Sequence, residues 1–557
     1  MRHLKSALLT VLPLLLLAAC TDPEKQVREF VDSHLQKIKP IEKERNLADW
    51  NAAITGSSED YNKAAAARLK YKEVYANPVD FTFLKGVREQ REVKDSILAR
   101  QVDVLYFTYL RNQIQPELLK QITDLEAKVE QDFSTFRGQI QGKPVSGNEI
   151  LDILKKQTDS RKRKEAWEAS KQVGPVVEQT LLRLVRLRNQ AAHQLGYDNF
   201  HTFSLTAYEQ DVTEVDRIFN ELNELTNEPF AKVKAFVDRV LSKKNKIPPN
   251  AMMPWHYEDA FFQEAPNVYP VDYDGFYTKT DVKDLAARFY ESMGLPVEQI
   301  LQNSDLYDRP GKNPHAFSTD IDREGDVRIL CNLRNNEQWM GTLLHELGHA
   351  VYNRYTYPQI PYLLRTEAHA FTTEGVAIFF EDFATNAHWM QSALGLTDDQ
   401  TRKINDASSG YRRLKQLIFA RWALVMYEFE KSLYANPDQD LGSTWWQLVK
   451  KYQLVSKPEG RSQPDWAAKI HTALYPCYYH NYLLGHLFAS QLRHYMRESV
   501  LTDRTSKRTD LWGKKEAGDY LRKNVFEAAD LHHWNNMIRR ATGEPLTAKY
   551  FVGEYVQ

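Results

Sequence analysis

Apolar positions recur with helical spacing along nearly the whole chain, and stretches that alternate with period two are few and short. Val177, Leu181, Leu184 and Val185 illustrate this: they follow the i, i+4, i+7, i+8 stripe of a helix that buries one face, with Arg183 and Arg186 on the other side. The pattern predicts an all-α fold. Gly and Pro punctuate it at Gly142 to Gly147 with Pro144, Lys246 to Pro249, Pro254 to Pro270 and Asp308 to Pro314, which read as loops and not as interdomain linkers. One segment departs from the pattern. Between Phe317 and Leu333 the turn-like Asp322-Arg323-Glu324-Gly325-Asp326 is followed by Val327, Ile329 and Leu330, which predicts a small β-hairpin.

The 557 residues, 42% hydrophobic and 26% charged, have globular proportions but exceed what one core usually organises, so two domains or one domain split into two lobes is expected. Lys and Arg total 73 against 74 Asp and Glu, with no long block of one sign, which excludes the footprint of a nucleic-acid binder. The basic run Arg161 to Lys164, flanked by Asp159 and Glu165, reads as a solvated helix face.

At the N-terminus Arg2 and Lys5 precede an apolar run from Ala7 to Leu17, too short to span a bilayer but suited to a secretory signal. Leu17-Ala18-Ala19-Cys20 resembles the lipobox of bacterial lipoproteins, which implies removal of residues 1–19 and lipidation of Cys20. Several acyl chains anchor where one is marginal. Thr21 follows, where an Asp would signal retention in the inner membrane. The resemblance therefore implies an extracytoplasmic lipoprotein of the bacterial outer membrane, facing the periplasm. Residues 20–557 are then one large domain. Cys331 and Cys477 are too few for a disulfide-stapled scaffold, and whether they pair is open.

The chemistry concentrates in Leu343-Leu344-His345-Glu346-Leu347-Gly348-His349-Ala350. Two histidines four apart in a helical apolar pattern leave the same face, one turn apart, and can grip one zinc ion. Glu346 falls beside that ion, where a carboxylate can take a proton from metal-bound water and pass it to a leaving amine. Gly348 lets another element approach closely. A catalytic zinc takes a third protein ligand. Tyr352 and Tyr355 stand where a metzincin needs Gly and His. Glu374, in Thr372-Thr373-Glu374-Gly375, is the leading third ligand, with Glu367, Glu381 and Asp382 as rivals. Glu367, seven residues before Glu374, is the reserve ligand or a partner for one of the histidines.

These residues resemble the angiotensin-converting-enzyme-like gluzincins, with more distant similarity to thimet-type oligopeptidases. The resemblance runs from about Gly147 to the C-terminus. Besides the metal motif it includes Ser160-Arg161-Lys162 with Trp167, Ala192 to Tyr197, His315-Ala316-Phe317-Ser318 and Ala541-Thr542-Gly543-Glu544-Pro545. It implies a two-lobed helical ellipsoid with a deep central cleft, helices of about 25–140 forming a lid, and zinc-dependent hydrolysis of oligopeptides. Release of dipeptides or short fragments from the C-terminus, endo cleavage of the thimet type, and a non-catalytic peptide-binding lipoprotein on the same fold stay open at this point.

Residue by residue, His315 through Thr319 maps to an edge strand to which the substrate adds, with His315 and Ala316 as contacts. His471 and Tyr482 match the family's oxyanion-binding His and Tyr. Lys469 and Tyr479 match positions that hold substrate, and a loose alignment puts Tyr257 where a glutamine helps the lysine's counterpart grip the substrate's C-terminal carboxylate. Three departures stand out: Asn481 replaces the arginine that coordinates activating chloride in animal relatives, Pro314 replaces the cysteine partner of Cys331, and Ile378 replaces an aspartate four residues past the zinc glutamate. The last change favours Glu367 as a substitute partner for a histidine.

Overall fold

The computed structural model describes residues 22–269, 272–356, 358–501 and 510–556; Cys20 and the signal segment lie outside the described residues. Its first four helices are α1 (Pro23–Thr55), α2 (Ser58–Tyr75), α3 (Pro78–Gln90) and α4 (Ser96–Leu110). Each starts where the sequence supplies a cap: Asp22, Ser57, Asn77 and Asp95 accept hydrogen bonds from first-turn amides, and proline opens α1 and α3. These helices share a core of their own, built on Val27, Val31, Ile38, Leu84, Leu98, Val102 and Leu105. α5 (Pro116–Thr135) instead sends Leu118, Ile122 and Val129 into the much larger core of the remaining chain.

The protein is all-α apart from two short hairpins, the only sheets among the described residues. The first, β1 (Gly138–Ile140) with β2 (Lys143–Val145), falls where the Gly and Pro content reads as a loop. Its two-residue tip explains the difference. Gln141 and Gly142 both have positive φ, 52° and 78°, the left-handed pair that a tight hairpin turn requires, so the turn signal marked a tip and not an open loop. α6 (Val173–Gln194) buries Val177, Leu181, Leu184 and Val185 completely and exposes Arg183 and Arg186, as its stripe predicts. The second hairpin, β3 (Phe317–Asp320) with β4 (Val327–Leu330), is the predicted one, paired antiparallel from Phe317–Leu330 to Asp320–Val327.

Three further helices form the centre: α7 (Glu337–Arg354), α8 (Ala370–Glu381) and, beyond the long α9 (Asp398–Ala435), α10 (Tyr479–Tyr495). They meet backbone to backbone. A methyl on Gly348 of α7 would lie 2.7 Å from the Cα of Ala377; one on Gly375 of α8 would lie 2.6 Å from Phe488; one on Gly485 of α10 would lie 3.2 Å from the Cβ of Glu374. Each helix therefore lacks a side chain just where its neighbour passes.

The hairpin is tied to α1. Glu42 accepts hydrogen bonds from Arg323 (2.8 Å) and Tyr362 (3.0 Å), Asn46 donates to the Asp320 carbonyl (3.0 Å), Lys43 pairs with Asp322 (3.0 Å), and Trp50 stands edge-on to Phe317. The half-buried Asp320 carboxylate accepts the amides of Asp322 and Arg323 and so shapes the turn. Cys331 and Cys477 are both buried and unpaired.

The glycine contacts give a paired prediction. Gly348→Ala gains helix propensity but drives a methyl into backbone that cannot move aside, so it should destabilise by about 1–3 kcal/mol. Gly86→Ala in α3, where nothing lies within 4 Å of the added carbon, should instead stabilise by about 0.5–1 kcal/mol. Thermal unfolding of the two variants measures the difference in sign.

Candidate active site

His345 and His349 leave the same face of α7, and Glu374 leaves the first turns of α8 across the Gly348 contact. The two Nε2 atoms are 3.2 Å apart, and the Glu374 oxygens lie 3.7 Å from His345 Nε2 and 4.0 Å from His349 Nε2. Zinc–nitrogen bonds of 2.0–2.1 Å at tetrahedral angles separate ligand atoms by about 3.3 Å. The trio thus has the dimensions of a metal site, and it is the only His, Cys, Asp and Glu group of its kind among the described residues.

The rings are also aimed. His345 Nδ1 lies 2.9 Å from Glu381 Oε2 and must donate to it; His349 Nδ1 lies 2.7 Å from Thr373 Oγ1. With His345 Nδ1 donating to Glu381, the two Nε2 atoms share one proton across 3.2 Å, and a divalent ion that displaces that proton finds both lone pairs facing it, so the donor set fits a metal.

Burial disfavours a charge on His345, but the Glu381 carboxylate, with Glu346 and Glu374 nearby, outweighs it and pushes the ring up to about 9. Burial beside that ring holds His349 well below the usual histidine range. Glu381, despite its own desolvation, falls to about 2 through its bond to His345. Glu346 is pushed up to about 7 by burial and by its acidic neighbours Glu374 and Glu381, while His345 and the Ser318 amide pull the other way. The Ser318 interaction places the base next to β3. Since β3 pairs only with β4, its outer edge is open among the described residues, with His315 exposed and Ala316 half-buried just before it.

On the other side Tyr479 and Tyr482 leave the first turn of α10, their rings 5.5 Å apart, and His471 lies 5.1 Å from Tyr479. Burial raises Tyr482, and the Glu374 carboxylate adds to the effect; one turn farther along α10, a methyl on Gly485 would lie 3.2 Å from Glu374 Cβ. Burial, helped by Lys469, lowers His471 to about 4, so the ring is neutral at pH 7. Its Nδ1 is buried with no hydrogen-bond partner. Lys469 Nζ donates to Gln263 Oε1 at 2.6 Å and sits 5.3–5.6 Å from the rings of Trp422, Phe261 and Tyr479.

Two expectations are corrected. Glu367 bonds neither imidazole; it accepts from Thr366 at 2.9 Å. It precedes the start of α8, so the helical spacing that would align it with Glu374 does not exist, whereas Glu381, seven residues after Glu374 and within α8, does share that face. Tyr257 is not the partner of Lys469: its hydroxyl bonds Lys234 (2.7 Å) and Asp238 (2.9 Å), and Gln263 takes the place expected of it. The intervening segment is irregular and carries no periodicity to fix an alignment. Thr373 was likewise missed, although it adjoins Glu374 in sequence.

The family model described as angiotensin-converting enzyme matches residues 21–557. The chain belongs to that peptidase family. It is 23% identical over 441 residues to an angiotensin-converting enzyme of Theromyzon tessulatum, covering 73% of this chain and 70% of the relative. It is 22% identical over 447 residues to that of Haematobia irritans exigua, covering 73% and 72%, and 24% identical over 308 residues to carboxypeptidase 1 of Bacillus subtilis, covering 50% and 57%. The chain is a metallopeptidase, and its substrates are peptides.

The orienting bonds predict the outcome of two substitutions. Glu381→Gln should weaken zinc binding about 10- to 100-fold, and Glu367→Gln should leave it unchanged. Competition with a chromophoric chelator reads both directly.

Proposed function

We propose that this protein is a zinc peptidase that removes dipeptides or short fragments from the C-termini of oligopeptides. Zinc on His345, His349 and Glu374 would supply a Lewis acid and a water acidic enough to deprotonate near pH 7. Glu346, buried beside that position, takes the proton and returns it to the leaving amine. The open edge of β3 offers main-chain hydrogen bonds to an extended peptide, which fixes the scissile bond near the base without demanding one sequence. His471 and Tyr482 are neutral donors for the oxygen on which charge develops. Neutrality suits them, because a donor aimed at transition-state charge gains most there and does not bind the ground state more tightly.

The observation that carries the C-terminal mode is Lys469. It is 8% exposed and its hydrogen bond goes to the neutral Gln263; Asp259 and Glu264 lie close enough to favour its charge, but none of the described carboxylates reaches salt-bridge distance, so the cation keeps room for a direct partner. A peptide's terminal carboxylate completes that arrangement. Asn481, in place of an arginine, sits in a neutral buried network with Gln210 and His480, which offers chloride no cation at that position. The lipobox resemblance supports a lipid anchor at Cys20 in the outer membrane, facing the periplasm.

Three measurements test this reading. Glu346→Gln should lower kcat by about 10²–10⁴ while zinc content is retained, and Tyr482→Phe by about 10²–10³. Lys469→Met should raise KM about 10- to 100-fold for a free-acid peptide and hardly at all for its C-terminally amidated twin. Mass analysis of the products, with and without chelator, separates C-terminal trimming from internal cleavage; equal cleavage of both twins by the unaltered enzyme would exclude the carboxylate anchor.

A further inference from the structure

We propose that the apolar groove between the start of α1 and α3 is a membrane-contact surface, occupied by the bilayer in which an acylated Cys20 is embedded. The inference rests on the reading of Cys20 as a lipid anchor. The groove has a volume of about 730 Å³; Pro23, Val79, Phe83, Val87 and Val93 make most of its apolar lining, with Glu92 and three neutral polar side chains among them. Val79 is 73% exposed, more than any other exposed large hydrophobic residue among those described. Gly86 opens the groove further, with nothing near its missing side chain.

The length of chain between anchor and groove decides the occupant. Only Thr21 and Asp22 separate Cys20 from Pro23, which itself lines the groove. A fully extended chain advances at most about 3.6 Å per residue, so the modified cysteine lies within about 11 Å of Pro23. The glyceride on such a cysteine sits at headgroup level, and an apolar face at an interface buries about 5–10 Å into the headgroup and acyl boundary. A tether of that reach confines Pro23, and the groove it lines, to the immediate vicinity of that layer.

Charge does not drive the contact. Lys25 pairs with Glu29 (3.9 Å) and Arg28 with Asp95 (2.6 Å), and Arg91 and Lys94 are interleaved with Glu89, Glu92 and Asp95, so charges of both signs alternate here and leave no unbalanced cationic patch for anionic lipid. A handful of apolar side chains is too small an area to hold a protein of 557 residues on a bilayer by itself. The anchor changes this by making insertion intramolecular, at an effective concentration on the order of millimolar. Contact under tether should therefore be insensitive to salt.

The test uses the full lipidated protein in vesicles of phosphatidylethanolamine and phosphatidylglycerol brominated on their acyl chains. An environment-sensitive fluorophore is placed on Val79→Cys or, as a control, on Tyr307→Cys, whose native side chain is 56% exposed. Cys331 and Cys477 are buried and do not compete for the label. The expected result is blue-shifted, strongly quenched emission at position 79 only, unchanged by added salt. Mass spectrometry of the same sample reports whether Cys20 carries its acyl chains. Acylated protein whose label at position 79 is quenched no more than that at 307 overturns the membrane contact and leaves the anchor standing; protein without acyl chains overturns both. Neither outcome touches the peptidase reading, which an activity assay on the same sample follows separately.

Discussion

The backbone contact among α7, α8 and α10 is the constraint on which the rest depends. The imidazoles of His345 and His349, the Glu374 carboxylate and the Tyr482 phenol come from three separate helices, and they converge because Gly348, Gly375 and Gly485 let those helices approach closely. A helix pair normally stands 8–10 Å apart, set by the side chains at the contact. Removing the side chain at each crossing draws the axes together. It also leaves short ligands such as glutamate and histidine able to reach one point. Packing and chemistry are therefore the same feature here: the interior is close-packed, and the surfaces that pack are the ones that deliver the donors.

Around that frame the electrostatics are arranged by desolvation and specific pairing. Three carboxylates and two imidazoles share a small volume, and their environments separate them: Glu381 is held ionised by His345, Glu346 is pushed towards neutrality by burial, and His349 is held neutral. Divergent environments of this kind assign roles. The orienting acid serves the ring, and the base remains poised to exchange protons. With Ile378 one turn after Glu374, the orienting carboxylate comes from Glu381 at the end of α8, which reaches His345 Nδ1 from farther along the same face.

Much of this was legible in the sequence because it is local. The two histidines and the base are fixed by one helix turn, and the β3–β4 hairpin by a turn signal followed by β-branched residues. Where the structure departs, the reason is a boundary. Glu367 looked aligned with Glu374 only if the helix extended back to it, and the chain there is irregular; the same spacing applied forward, inside α8, finds Glu381. Gln263 was out of reach because the segment from Pro254 to Pro270 has no period to count along, so a loose alignment settled on Tyr257. The first hairpin was hidden by its brevity, three residues a side around a glycine turn. Close approach at Gly375 and Gly485 is tertiary and has no sequence signature beyond the residue itself.

α1 joins the two ends of this account. It is a continuous helix of 33 residues, and at 1.5 Å per residue it is about 50 Å long. Its first residue lines the α3 groove, and its second half, through Glu42, Asn46 and Trp50, grips the hairpin that borders the base. It is thus a strut of fixed length between the chain's N-terminal end and the peptide-receiving edge. The stand-off between them, about 30–40 Å by the same rise per residue, exceeds the depth of a lipid headgroup layer. Were Cys20 anchored as proposed, a catalytic centre mounted on such a strut would stand off from the bilayer by up to that length.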